Sequence, residues 1–124
     1  MLRRLWIGVG WALVAGVIYG SLMHSPPSLG FQQGDKLEHL GSYGLLMFWF
    51  CQLYVEPRVR LGYALGFVAL GVALEFVQGW TGYRDFEVAD MFADAAGVAL
   101  GWGAALIFPK ALPGAETGTR STAR

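Results

Sequence analysis

From Leu5 to Met23 the chain runs through nineteen consecutive residues without one charged side chain. At about 1.5 Å of rise per residue, a helix of that length measures roughly 28 Å, close to the thickness of a bilayer's hydrocarbon core. A soluble amphipathic helix would show one polar face, and a half-buried strand would alternate with a period of two. Neither pattern is present. Composition points the same way: 124 residues that are 55% hydrophobic and only 15% charged, with a positive mean hydropathy, belong to the membrane class.

Three further stretches fit the same description, approximately Lys36 to Val55, Leu61 to Gly79 and Glu87 to Phe108, each with ionisable residues near one end. The expected fold is all-α: a four-helix transmembrane bundle forming one domain over residues 1–112. The connections are short, among them a tight Glu56-Pro57-Arg58 turn. Residues 113–124, rich in Gly, Thr, Ser and Ala, are expected to be a disordered cytoplasmic tail. Arg3-Arg4 before an apolar run resembles a secretory signal. The span is long for such a signal and no clean small-x-small cleavage site follows, so an uncleaved first helix is expected. Several of the eighteen glycines recur at four-residue spacing, Gly16 with Gly20, Gly62 with Gly66 and Gly97 with Gly101. Close helix packing is expected at all three pairs.

Four spans return both termini to one compartment. Arg3, Arg4, Arg58, Arg60, Lys110, Arg120 and Arg124 would lie on the terminal side, with only Lys36 and Arg84 opposite. The positive-inside rule therefore predicts cytoplasmic termini. The acids reverse this split: Asp35, Glu38, Glu75, Asp85, Glu87, Asp90 and Asp94 fall on the outer side, against Glu56 and Glu116 inside. Beneath a net charge of zero lies an outer face where seven acids meet two bases, so nucleic acid is excluded as a partner there.

Some outer acids have a plain explanation. Asp35, Glu38, Asp85 and Glu87 stand where helices two and four begin, where exposed amides and the helix dipole favour carboxylates, and Asp35 to Glu38 has capping-box spacing. His39, Glu75, Asp90 and Asp94 lie about a turn or more inside their spans. Glu75 stands near a helix C-terminus, where the dipole opposes its charge. A carboxylate at that depth costs about 2.5–3.5 kcal/mol on insertion scales unless it is compensated. Asp35, His39, Ser42 and Tyr43 share one face of helix two; Glu75 and Gln78 share one of helix three; Asp90, Asp94, Gly97 and Gly101 form a stripe on helix four. If the three stripes meet, they form an outward-facing polar site comprising Asp35, Lys36, His39, Tyr43, Glu75, Gln78, Arg84, Asp85, Asp90 and Asp94. Cys51 is solitary and is expected to pack. The Trp and Tyr residues fall largely near span ends, as interface anchors would.

Asp35-Lys36 with His39 and Tyr43, Glu75 with Gln78, and Arg84, Asp85, Asp90 and Gly97, in this order over residues 35–101, resemble the VanZ-like membrane proteins. One position departs from that pattern: members commonly carry Asn four residues after the helix-four aspartate, where this chain has Asp94. The resemblance implies residence in a bacterial cytoplasmic membrane and a cell-envelope role, in a family named for an association with teicoplanin resistance. It brings no established activity with it.

Three functions remain open from the residues. The site binds a lipid-linked or lipoglycopeptide-like envelope molecule among the membrane lipids. Alternatively, it is an enzyme at the outer leaflet, with Glu75 or Asp90 as base and His39 as acid, or with these groups around a divalent metal. Or it fastens a small structural subunit or assembly factor. Proton transport requires a polar path through the cytoplasmic half, which only a second copy of the chain would supply. The residues contain no H-E-x-x-H pattern, nucleophile elbow or phosphate-cradling loop, and neither a cofactor nor a resident metal is assigned.

Overall fold

In a computed structural model, which describes residues 2–22, 34–81 and 88–109, the chain forms four α-helices. These are α1 (Leu2–Leu22), α2 (Gly34–Leu53), α3 (Pro57–Thr81) and α4 (Val88–Ile107). Pro57 opens α3 at the position where a missing amide proton costs nothing and a fixed φ helps. The helix therefore starts earlier than the apolar pattern suggests and takes Arg58 and Arg60 into its first turn. The expected tail, residues 113–124, lies outside the described residues.

Three of the helices, α1, α3 and α4, are long and apolar enough to cross a membrane. Large apolar side chains face outward, Phe92 at 72% exposure and Leu65 and Leu100 at 61%, while Glu75 and Asp94 are only 1% exposed. That is the reverse of a water-soluble surface and suits a hydrocarbon solvent.

The most polar helix, α2, is the hub. It packs on α1, α3 and α4, most extensively on α4, whereas α1 and α4 do not meet among the described residues. The core is drawn mainly from α2, through Tyr43, Leu46, Met47, Phe50, Cys51 and Leu53, with Phe67 of α3 and Val98 of α4 against them. A helix enclosed by neighbours does not need an apolar circumference, so polar residues are tolerated along its length.

The α2–α4 contact brings backbone against backbone. A Cβ added to Gly97 would collide with the Leu40 carbonyl oxygen and lie 3.0 Å from the Gly44 nitrogen. One added to Gly101 would collide with the Gly44 carbonyl and lie 2.9 Å from the Phe48 nitrogen. Close packing therefore holds at this pair, with Gly44 as an unforeseen third member. Among the described residues the expectation fails at the other two pairs: Gly16, Gly20, Gly62 and Gly66 have nothing within 4 Å of an added Cβ. Their spacing is identical, but they face no neighbouring backbone.

The end of the bundle away from the acids is closed by aromatics and backbone caps. Trp49 donates to the Trp6 carbonyl at 2.9 Å, and their rings meet edge-on at 5.4 Å. Phe50, Tyr63 and Tyr54 continue the cluster, with centroids 4.7 Å apart between Phe50 and Tyr63 and 5.1 Å between Tyr54 and Tyr63. Several residues expected to anchor at the interface thus pack on one another. Arg60 is buried and donates to the carbonyls of Tyr54 (2.8 Å) and Cys51 (2.7 Å), satisfying acceptors at the C-terminus of α2. Gln52 does the same for Phe108 beyond α4, at 2.9 Å.

Replacing Gly101 by Ala should destabilise the bundle by about 1–3 kcal/mol, because a backbone clash leaves only helix displacement as relief. Gly62→Ala should be neutral or stabilising by up to about 1 kcal/mol. Unfolding in mixed micelles, followed by tryptophan fluorescence, compares the two.

Candidate functional site

Where α2 begins and α4 begins, their stripes meet. Asp90 lies in the first turn of α4, where the dipole favours a carboxylate, and Asp94 one turn deeper on the same face. Both are buried. Opposite them on α2 stand Lys36 and His39, separated by three residues and so on one side of the helix.

His39 is held by one ring nitrogen. Its Nδ1 lies 2.6 Å from Asp94 Oδ1, a short bond of the kind an ionised partner makes. With the carboxylate as acceptor, the tautomer that satisfies this bond carries its proton on Nδ1. On the other side of the ring, Nε2 is 3.7 Å from Asp90 Oδ2, too far for a direct hydrogen bond. Lys36 Nζ is likewise 3.7 Å from Asp90 Oδ1 and keeps 31% of its side chain exposed. Tyr43, one turn further along α2, is buried and lies parallel to the imidazole at a centroid distance of 6.5 Å.

α3 supplies two of the predicted residues. Glu75 is buried and, with Asp94 and Asp90, lies in the neighbourhood of the His39 ring. Gln78 is buried too, but its amide donates to the Ser21 carbonyl at 2.7 Å, capping the last turn of α1. Asp35 falls in the first turn of α2; Arg84 and Asp85 lie outside the described residues. The structure thus brings together Lys36, His39, Tyr43, Glu75, Asp90 and Asp94, and ties Gln78 to α1. Among the described residues, no group of three or more His, Cys, Asp or Glu side chains is disposed to hold a metal ion.

One participant escapes a search for polar residues. Asp94 is wedged between His39 on α2 and Gly71 on α3. A Cβ added to Gly71 would lie 2.5 Å from Asp94 Oδ2 and 3.1 Å from its Cβ and Cγ. The same Oδ2 is buried and accepts no hydrogen bond from the described residues, so the glycine backbone is its wall. Only the absence of a side chain at 71 lets the carboxylate reach its position. The sequence carries no sign of this, since Gly71 belongs to no spaced pair.

One wall of the site opens into a cavity between α1 and α2, lined on the α2 side by Glu38, His39, Ser42 and Tyr43 among others. The imidazole therefore belongs both to the ion cluster and to an accessible space. What the arrangement offers chemically is an oriented imidazole among carboxylates in a low-dielectric setting, able to accept or donate one hydrogen bond at Nε2.

No protein-family model, curated protein or solved structure matches this chain.

Gly71→Ala should push Asp94 off His39 and remove a charged hydrogen bond worth about 1.5–3 kcal/mol. In nitrogen-15 spectra of the imidazole, the strongly deshielded Nδ1 proton should disappear, while Gly66→Ala, at an open position, leaves it in place.

Proposed function

We infer that this chain is a VanZ-like integral membrane protein of the bacterial cytoplasmic membrane. Its four helices span the bilayer, both termini are cytoplasmic, and the polar cluster faces outward. In that setting the cluster binds the head of an amphiphilic envelope molecule, a lipid or a lipoglycopeptide-like compound, taken from the outer leaflet.

The observation that carries this function is the double position of His39. It is pinned by Asp94 on one side and forms part of a cavity wall on the other. A purely structural ion cluster would gain nothing from an opening beside it, whereas a binding site requires one. The terminal end carries Arg3, Arg4 and Arg58 and the opposite end the acids, which supports the orientation through the positive-inside rule. The sequence pattern over residues 35–101 supports the family.

One observation favours a second function, an enzyme acting on the same amphiphile. An imidazole whose Nδ1 proton is fixed by a carboxylate presents Nε2 as a ready base, the orienting arrangement on which many hydrolytic sites depend. Binding and catalysis part at His39→Gln: a binder loses affinity, and a catalyst retains the bound molecule but stops converting it.

In the native host, Asp90→Asn and His39→Gln should each reproduce the antibiotic susceptibility and lipid profile of a deletion strain, and for Asp90→Asn, which leaves the His39–Asp94 bond intact, membrane levels of the protein should stay within about twofold of the parent. That range corresponds to a stability change well under 1 kcal/mol. Wild-type behaviour of both variants would leave the cluster as scaffold.

A further inference from the structure

The spacing of Gly16 and Gly20 predicts a seat for a neighbouring helix, yet among the described residues nothing lies within 4 Å of a Cβ placed at either. Both line the cavity between α1 and α2, whose volume is about 500 Å³. That is within the range of small-molecule pockets, roughly 300–1,000 Å³. Its α1 wall runs from Ala12 through Leu13, Gly16, Val17 and Gly20 to Ser21. Over those nine residue steps a helix rises about 14 Å.

The lining is graded along that length. Because α1 and α2 run antiparallel, the deep part pairs Ala12 and Leu13 with Leu45 and Leu46, and the other end pairs Ser21 with Glu38, His39 and Ser42. Hydrocarbon lines one end and hydrogen-bonding groups the other. Such a gradient matches a molecule that is itself apolar at one end and polar at the other. The space lies alongside α1, a helix apolar and long enough to cross a membrane. A slot in that setting is bathed by lipid chains, and an apolar void does not hold water.

The charge at the polar end narrows the head group. Glu38 is in the wall, Asp90 and Asp94 flank His39, and Glu75 lies in the neighbourhood of the same ring. Among the described residues, the cation at this end is Lys36, which is within ion-pair distance of Asp90. A phosphate arriving here meets an excess of carboxylate, whereas an ammonium or hydroxyl group finds acceptors.

We propose that the α1–α2 cavity is a chain-binding slot, which seats one hydrocarbon chain of a bilayer lipid and presents its hydroxyl- or amine-bearing head to His39 and Glu38. This rests on the amphiphile-binding function inferred above and names its ligand class. Gly16 and Gly20 make the slot by having no side chains.

The test uses the full-length protein in phosphatidylcholine vesicles doped with single-chain probes that carry a photoreactive diazirine near the chain terminus. Three probes share one chain and differ in head: glycerol, primary amine and phosphate. After irradiation, adducts should concentrate on residues 12–17 and on Leu45 and Leu46, and the amine and glycerol probes should label more strongly than the phosphate probe. Gly16→Leu should cut labelling by about tenfold, equivalent to about 1.4 kcal/mol of affinity. Gly62→Leu, equally open but on α3, should leave it unchanged. Gly20→Val narrows the slot with a smaller side chain and should act in the same direction should Gly16→Leu fail to fold. Adducts spread evenly over outward residues such as Leu65 and Leu100, or labelling indifferent to both slot-filling changes, overturn the slot. Glu38→Gln should raise phosphate-probe labelling toward the other two without moving the adduct sites. Slot-confined adducts with no head preference, unaltered by Glu38→Gln, would overturn the head class and the polar-site function while leaving a chain slot in place.

Discussion

The contact of α2 with α4 sets the distance on which the rest of the structure depends. Gly44 on one helix and Gly97 and Gly101 on the other leave backbone facing backbone. At that separation the side chains one turn beyond the glycines, His39 on α2 and Asp94 on α4, are close enough to bond directly at 2.6 Å. Larger residues in the seam would part the helices, and the imidazole and the carboxylate would each be buried without the other. Burying one partner alone is strongly destabilising, because the remaining charge has nothing to offset its lost hydration. Glycine in the seam and ions above it are thus two aspects of one contact.

Gly71 extends the same logic to the third helix. It offers Asp94 a surface with no side chain, so that the carboxylate is confined from behind by α3 as well as held from the front by α2. Three helices therefore define the orientation of one imidazole. Tyr43 lies parallel to that ring and Glu75 approaches from α3, so these ionisable and aromatic neighbours of His39 come from α2, α3 and α4. The wall contributed by α1 carries no charged side chain, which is why the space beside the ring is accessible instead of filled with further ion pairs.

How far the sequence could be read depends on whether a property belongs to one helix or to two. The number of helices and the shared faces of α2 and α4 follow from charge-free length and from steps of three and four residues, both local. The fate of a glycine is not local. Gly16 with Gly20 and Gly97 with Gly101 are indistinguishable by spacing, yet one pair borders a cavity and the other admits a helix. The same holds for Arg60, which counts as a topological charge in sequence but is spent inside the protein on two carbonyls. Gln78 shares a face with Glu75, and its amide also reaches the end of α1, a bond that face-sharing does not foretell. Partners contributed by another element cannot be deduced from periodicity.

The arginine at the start of α3 has a consequence for how such a chain enters a bilayer. α2 is not among the helices apolar enough to cross unaided, whereas α3, three residues further on, is. By bonding to the Cys51 and Tyr54 carbonyls, Arg60 ties the two into a helical hairpin and satisfies two acceptors at its bend from within. A hairpin partitions as one body, so the surplus hydrophobicity of its second arm can carry the first. Under the proposed topology, the translocation machinery would meet α2 and α3 as a single cargo, and the ionisable groups of α2 would be delivered across before α4 arrives to neutralise them.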